Sequence, residues 1–180
     1  MNDTKIVPNA VLDKAKKIKL FAMDVDGILS DGKIIYNSYD VETKAFHVQD
    51  GMGLVALKEM GIILAIITGR TSPMVARRAT ELGIHHVVQG RDDKFVALSA
   101  LAEQLGFSLE ECAYMGDDWP DLKAIDEAGL GVSVPNGADI VQQVADVVTI
   151  KKGGDGAVRE VCELILKAQG KYDDFIQRFL

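Results

Sequence analysis

Residues 20–32, LFAMDVDGILSDG, constrain this chain more than any other stretch. Leu20, Phe21, Ala22 and Met23 form a short apolar run behind basic residues, the pattern of a buried strand. Asp24, Asp26 and Gly27 follow as the run ends. If strand geometry persists, Asp24 and Asp26 project to one side, because strand side chains repeat every second residue. Two carboxylates so placed repel each other unless a cation lies between them. A divalent metal is the simplest such cation, and a hard oxygen site suits Mg²⁺. Such a strand belongs in an open α/β sheet, where ligands bind at the carboxyl ends of strands.

The rest of the chain supplies that sheet. Residues 11–17 read as a short basic helix, and residues 33–36 and 43–47 as two strand-like pieces. Asn37, Ser38, Tyr39 and Asp40 lie between these pieces as turn material, so residues 33–47 are expected to project as a β-hairpin. Residues 51–60 have helical spacing and stop at Gly61. Residues 62–67 are continuously apolar and β-branched, as in a central parallel strand, and end in Thr68-Gly69-Arg70. Ser72 as cap and Pro73 in the first turn open a helix to Leu82. Strands at 86–88, 112–115, 131–134 and 147–150 then alternate with helices at 94–105, 122–128, 138–144 and 156–169. This alternation predicts a Rossmann-like, doubly wound parallel sheet in a single α/β domain, residues 1–180. Tyr172, Phe175, Ile176 and Phe179 lie at helix-like spacing in the tail, which is expected to dock on an apolar surface.

Composition narrows the classes of partner. A formal net charge of -7 argues against nucleic acid or an anionic membrane. No apolar run approaches the roughly 20 residues that span a bilayer. The first ten residues, MNDTKIVPNA, lack the apolar core of a signal peptide, so the expected location is the cytoplasm. Cys112 and Cys162 show no metal-ligand spacing and read as reduced, buried thiols.

In a parallel sheet, the proposed strand ends share one rim. They bring Asp24, Asp26, Thr68, Asp117 and Asp118 together, with Lys94 at the mouth of the next helix. These are the parts of phosphoryl transfer: a nucleophile, a cation against the phosphoryl oxygens, and donors to hold them. An aspartate nucleophile is already ionised near neutral pH. A second carboxylate can protonate the leaving alkoxide and then deprotonate the water that hydrolyses the acyl phosphate.

The series D-x-D-G, T-G-R, lysine and G-D-D-x-x-D resembles the four motifs of the haloacid dehalogenase superfamily of phosphatases, in the family's order. The resemblance implies Asp24 as nucleophile and Asp26 as general acid and base. It implies Thr68 and Lys94 as phosphoryl ligands. It also implies Mg²⁺ held by Asp24, Asp117 and the main-chain carbonyl of Asp26. A closer similarity covers nearly the whole chain through DVDGxLxDG, FHVxDGxG, GDDxxDL and GGxGAxRE, and points to the 3-deoxy-D-manno-octulosonate 8-phosphate phosphatase family. What this implies is a capless homotetrameric enzyme of lipopolysaccharide precursor synthesis acting on a small sugar-acid phosphate. Substrate contacts map onto Asp26, His47, Val48, Gln49, Asp50, Gly51, Arg70, Arg78 and Lys94. The chain departs from the family at Gln49, where arginine is frequent.

No cap domain fits between Asp24 and Thr68 or between Thr68 and Lys94, since independent domains need about 50 residues or more. A lone hairpin is marginal in water. The apolar hairpin is therefore expected to pair between subunits, so that neighbours cover each active site, with the tail contributing. Closed symmetry makes four copies natural.

Other readings stand beside these. Asp31 and Asp118 either orient their loops or support the metal ligands, and Asp121 either caps the helix after Pro120 or serves the metal. Arg70 and Arg78 either meet substrate or form surface ion pairs. His85 and His86 read as structural. Gly51-Met52-Gly53-Leu54-Val55-Ala56 matches a dinucleotide fingerprint but follows a hairpin rather than a buried strand, and reads as a decoy. The loop 153–156 either cradles an anion or merely connects. A phosphoacceptor receiver uses similar residues but places its acidic pair after the first strand, whereas Asp117-Asp118 comes last here. A non-catalytic assembly module would have lost a catalytic aspartate, and none is missing.

Overall fold

The computed structural model describes residues 7–180. Residues 1–6, within the stretch read as lacking a leader's apolar core, lie outside the described residues. In chain order the elements are α1 (Asn9–Lys17), β1 (Leu20–Met23), β2 (Ile35–Tyr36), β3 (Glu42–Thr43), α2 (Val48–Glu59) and β4 (Ile63–Thr68). Next come α3 (Pro73–Leu82), β5 (His86–Gln89), α4 (Lys94–Leu105), β6 (Cys112–Met115) and α5 (Leu122–Glu127). The chain ends with β7 (Leu130–Ser133), α6 (Asp139–Val144), β8 (Val147–Val148), α7 (Ala157–Ala168) and α8 (Tyr172–Ile176).

Six strands form one parallel sheet in the order β5-β4-β1-β6-β7-β8. β1 pairs with β4 and β6 at once, Leu20 lying beside both Ile63 and Cys112. The chain builds leftward from β1 through β4 and β5, then crosses to β6. The carboxyl end of β1 is thus the switch point where such sheets open a crevice.

Strand alternation divides the core between two faces. Phe21, Met23, Leu64, Ile66 and Met115 pack with Leu54, Leu57, Val158, Val161 and Ile165 beneath α2 and α7. Leu20, Ala22, Ile67, Cys112 and Tyr114 pack with Leu98, Leu101, Ile125 and Val141 beneath α4, α5 and α6. Burial of both faces explains why these strands read as unbroken apolar runs. Both cysteines are free and buried, as expected. Among the described residues, no helix is long and apolar enough to cross a membrane.

Several local expectations are corrected. The hairpin forms, but each strand spans only two residues, because its side chains are exposed and the pair has no third strand. Ser72 precedes α3 without capping it; its amide donates to Gln89 Oε1 at 2.8 Å and its hydroxyl turns to Met74 Sδ. Helix α2 starts at Val48, so the fingerprint-like glycines lie inside a helix, with Gly51 facing Arg78 and Gly53 facing α7. The tail docks on its own chain. Phe175 is buried, Lys171 Nζ donates to Met60 O at 2.9 Å, and Arg178 pairs with Glu59. That position, at the carboxyl end of α2, is remote from the carboxyl ends of the strands. Phe179 and Leu180 stay exposed.

Candidate active site

Strand geometry ends at Met23. Beyond it the chain turns sharply: Val25 O accepts from the amides of Ile28, Leu29 and Ser30, and Gly27 has φ +88°. The turn separates the two aspartates expected to face one way. Asp24 points into the interior, whereas the Asp26 carboxylate swings to the hairpin side, where Lys44 and Ser30 meet its Oδ1. The Asp26 carboxylate is thus held from the hairpin side, and the metal donor implied for this residue is its carbonyl.

Asp24 is joined instead by Asp117, after β6, and Asp121. One carboxylate oxygen from each lies within 4.8 Å of the other two. Asp24 Oδ1 accepts from the Val25 amide at 2.7 Å, and Oδ2 from Lys94 Nζ at 2.6 Å. Lys94 Nζ also donates to Asp121 Oδ1 at 2.7 Å. Asp121 is fully buried and accepts four bonds, the others from Tyr114 OH at 2.8 Å and from the Asp117 and Asp118 amides at 3.1 Å each. Asp121 thus ties Lys94, β6 and the Gly116-Asp117-Asp118 loop into one unit. Helical capping and support of the metal loop are the same act here, since Asp118 and Asp121 also form a reciprocal cap.

Three carboxylates and one ammonium leave excess negative charge in a buried place. Burial, then Asp121, pushes Asp24 up to about 6 despite Lys94. Burial, then Asp24 and Asp121, pushes Asp117 up to about 7. Burial opposes charge on Lys94, but Asp24 and Asp121 outweigh it and hold the ammonium above its ordinary range. Asp117 Oδ1 is buried with no hydrogen-bond partner. An orphaned oxygen on Asp117, in a cluster where the carboxyls of Asp24 and Asp117 are both pushed up, fits a hard divalent cation, which would supply the missing positive charge. Gly27 shapes this cradle: a Cβ there would lie 1.9 Å from Asp117 Oδ2.

Thr68 ends β4, beside β1, and is buried; its Oγ1 accepts from the Arg70 amide at 3.4 Å. Arg70 donates to Glu42 Oε1 at 2.6 Å and lies 3.7 Å from Asp26 Oδ2. Arg78 lies over the Phe46 ring, 5.9 Å from its centroid, against Gly51 and within 3.4 Å of Glu81. His47 precedes α2 with Nδ1 buried and unpartnered, while Val48 and Gln49 are exposed. Asp50 is buried, and its two oxygens accept from the Gly156 and Arg159 amides at the start of α7. Of the loop 153–156, Gly153 N donates to Asn136 Oδ1 and Gly154 N to Ile28 O, so these amides brace the acidic loop rather than face an anion. Asp31 pairs with Lys33 on the surface.

Two groups of the site are less legible in the sequence. Asp121 was legible only as one of two alternatives, although its position four residues after Asp117 is the signal. Lys44 and Glu42 read as hairpin material. Their spacing of two, which sets both on one strand face, is the only sign that they act together.

Residues 81–161 match the haloacid dehalogenase-like hydrolase family. The chain is 45% identical over 168 residues to 3-deoxy-D-manno-octulosonate 8-phosphate phosphatase of Salmonella typhi, covering 93% of this chain and 89% of that protein. It is similar in structure to the Moraxella catarrhalis 3-deoxy-D-manno-octulosonate 8-phosphate phosphatase, solved in complex with magnesium ion, phosphate ion and KDO. That match has 66% identity and a TM-score of 0.94, and covers 96% of this chain and 99% of the other. The cobalt-bound deoxy-D-mannose-octulosonate 8-phosphate phosphatase of Haemophilus influenzae gives 39% identity and a TM-score of 0.86, with 90% and 95% covered.

Proposed function

The chain belongs to the 3-deoxy-D-manno-octulosonate 8-phosphate phosphatase family of haloacid dehalogenase-like hydrolases, and on that premise we propose that it hydrolyses 3-deoxy-D-manno-octulosonate 8-phosphate to the free sugar acid and phosphate. The observation that carries the reading is the buried Asp24–Asp117–Asp121 cluster crossed by Lys94 at the switch point of the sheet.

Asp24 is the nucleophile. Its carboxylate attacks phosphorus, and the bond to the sugar's C8 oxygen breaks. Asp26 gives a proton to that oxygen, then takes one from the water that attacks the aspartyl-phosphate and regenerates Asp24. Thr68 and Lys94 hold the phosphoryl oxygens, and Asp121 keeps Lys94 aimed at them. Asp24, Asp117 and the Asp26 carbonyl would hold Mg²⁺, which would offset charge on the nucleophile and the phosphoryl group. Arg70 and Arg78 are the planar donors for the sugar's carboxylate, with Lys94, Asp26, His47, Val48 and Gln49 lining the sugar, while Asp50 and Gly51 seat that segment against α7 and Arg78.

The protein works in the cytoplasm as a homotetramer, in which the hairpins pair and neighbours cover each site. Ile34, Ile35, Tyr36, Tyr39 and Val41 support this, because all are large, apolar and exposed on one small hairpin. The test of function is phosphate release with Mg²⁺ from a panel of sugar-acid and ordinary sugar phosphates. Preference for the eight-carbon acid ester is expected; equal turnover of hexose phosphates would overturn the assignment.

A further inference from the structure

The hairpin carries one side chain that its surroundings do not explain. Residues 31–41 are exposed throughout, yet the Lys44 side chain is only 1% exposed. A buried ammonium is costly unless paired. Lys44 Nζ donates to Asp26 Oδ1 and lies 3.4 Å from Glu42 Oε1. Glu42 accepts in turn from Arg70, whose Nε lies 3.7 Å from Asp26 Oδ2. Lys44, Asp26, Arg70 and Glu42 thus close a ring of alternating charges between the hairpin and the catalytic loop.

The ring treats the two Asp26 oxygens differently. Oδ1 accepts from both Lys44 Nζ and Ser30 Oγ. Among the described residues, no hydrogen bond falls on Oδ2, and Arg70 stands beyond hydrogen-bond distance from it. A carboxyl group that gives a proton needs one oxygen fixed and the other free to carry the hydrogen.

We propose that Lys44 is a positioning residue for proton transfer, occupying Asp26 Oδ1 so that Oδ2 faces the leaving oxygen. The proposal rests on the reading of Asp26 as general acid and base. As Asp24 bonds to phosphorus and the P–O bond to the sugar breaks, the electron pair goes to the sugar oxygen and the proton comes from Oδ2. Lys44 keeps its own proton throughout.

The test uses leaving groups that differ in their need for that proton. Single-turnover release is measured from 3-deoxy-D-manno-octulosonate 8-phosphate, whose alkoxide must be protonated, and from 4-nitrophenyl phosphate, whose phenolate leaves unaided. In Lys44→Met, release of the sugar acid is expected to slow by about tenfold or more, the lower part of what a positioned acid supplies. Nitrophenolate release is expected to change little, and Lys44→Arg to recover part of the sugar-acid rate. Equal slowing of both esters in Lys44→Met, with or without recovery in Lys44→Arg, overturns the proposal, and so does no slowing of either. Asp26→Asn is the control. If it fails to discriminate between the two esters, the acid–base reading fails rather than the role of Lys44.

Discussion

Asp121→Asn removes one charge and almost no volume, and its cost can be worked from the bonds described. All four neighbours of Asp121 are donors: Lys94 Nζ and Tyr114 OH on one oxygen, and the Asp117 and Asp118 amides on the other. An asparagine offers one acceptor oxygen and one NH₂ group. Whichever way it flips, the NH₂ faces two donors, and two bonds are lost in a fully buried place. Each stranded buried donor costs about 1–3 kcal/mol. One effect opposes this, because Asp121 is among the causes that raise Asp24 and Asp117, and its removal relieves repulsion. Saturating Mg²⁺ should already supply that relief, so the loss stands out in its presence. A net cost of about 2–5 kcal/mol corresponds to a Tm fall of roughly 5–15 °C for a chain of this size. Turnover should fall by about a hundredfold, since Lys94 and the Asp117 loop lose their common anchor and misplacement near 1 Å is worth that much. The assay is calorimetric melting with Mg²⁺, beside steady-state phosphate release. A Tm within about 2 °C of the parent would refute the reasoning, being less than the roughly 1 kcal/mol set by one stranded donor.

Further expectations follow from the same geometry. Gly27→Ala would set a methyl group 1.9 Å from Asp117 Oδ2 at φ +88°, so Mg²⁺ affinity by calorimetric titration and turnover should both collapse. The raised folded values of Asp24, about 6, and Asp117, about 7, against an ordinary 3.8, contribute stability that is fully present below 3.8 and lost as pH rises through 6 and 7. The metal-free protein should therefore melt at a higher temperature near pH 5.5 than near pH 8, and Mg²⁺ should raise Tm more at pH 8; the reverse trends would contradict the assigned burial. Ile35→Asp, on the exposed hairpin, should shift sedimentation toward smaller species and lower turnover together. A fully active monomer would defeat the proposed assembly.

The sheet was legible because its strands are buried on both faces, so that runs such as ILAIIT and CAYM carry the signal without alternation. Gly83 and Gly106 stop α3 and α4 in the left-handed conformation, which only the chemistry of glycine had to announce. Asp24, Thr68, Lys94 and Asp117 followed from the strand ends once the parallel order was assumed. Asp26 did not. Its direction depends on a turn made by Gly27 and by three amides converging on Val25 O, which strand periodicity cannot express. Lys44 was hidden for a similar reason, because its burial comes from a tertiary partner and not from its exposed hairpin neighbours. Asp50 reads as part of a substrate motif, yet the α7 amides that claim its oxygens lie more than a hundred residues further along the chain.

The mechanism turns on the nucleophile. Asp24→Asn keeps the size of the side chain and removes the negative oxygen that attacks phosphorus. Phosphate release from 3-deoxy-D-manno-octulosonate 8-phosphate should be measured with saturating Mg²⁺ for the parent and this variant, after far-ultraviolet circular dichroism shows that both are folded. The variant should lose at least about a thousandfold in turnover, since removing a covalent nucleophile removes the whole two-step route. Turnover near that of the parent would contradict an aspartyl-phosphate on Asp24.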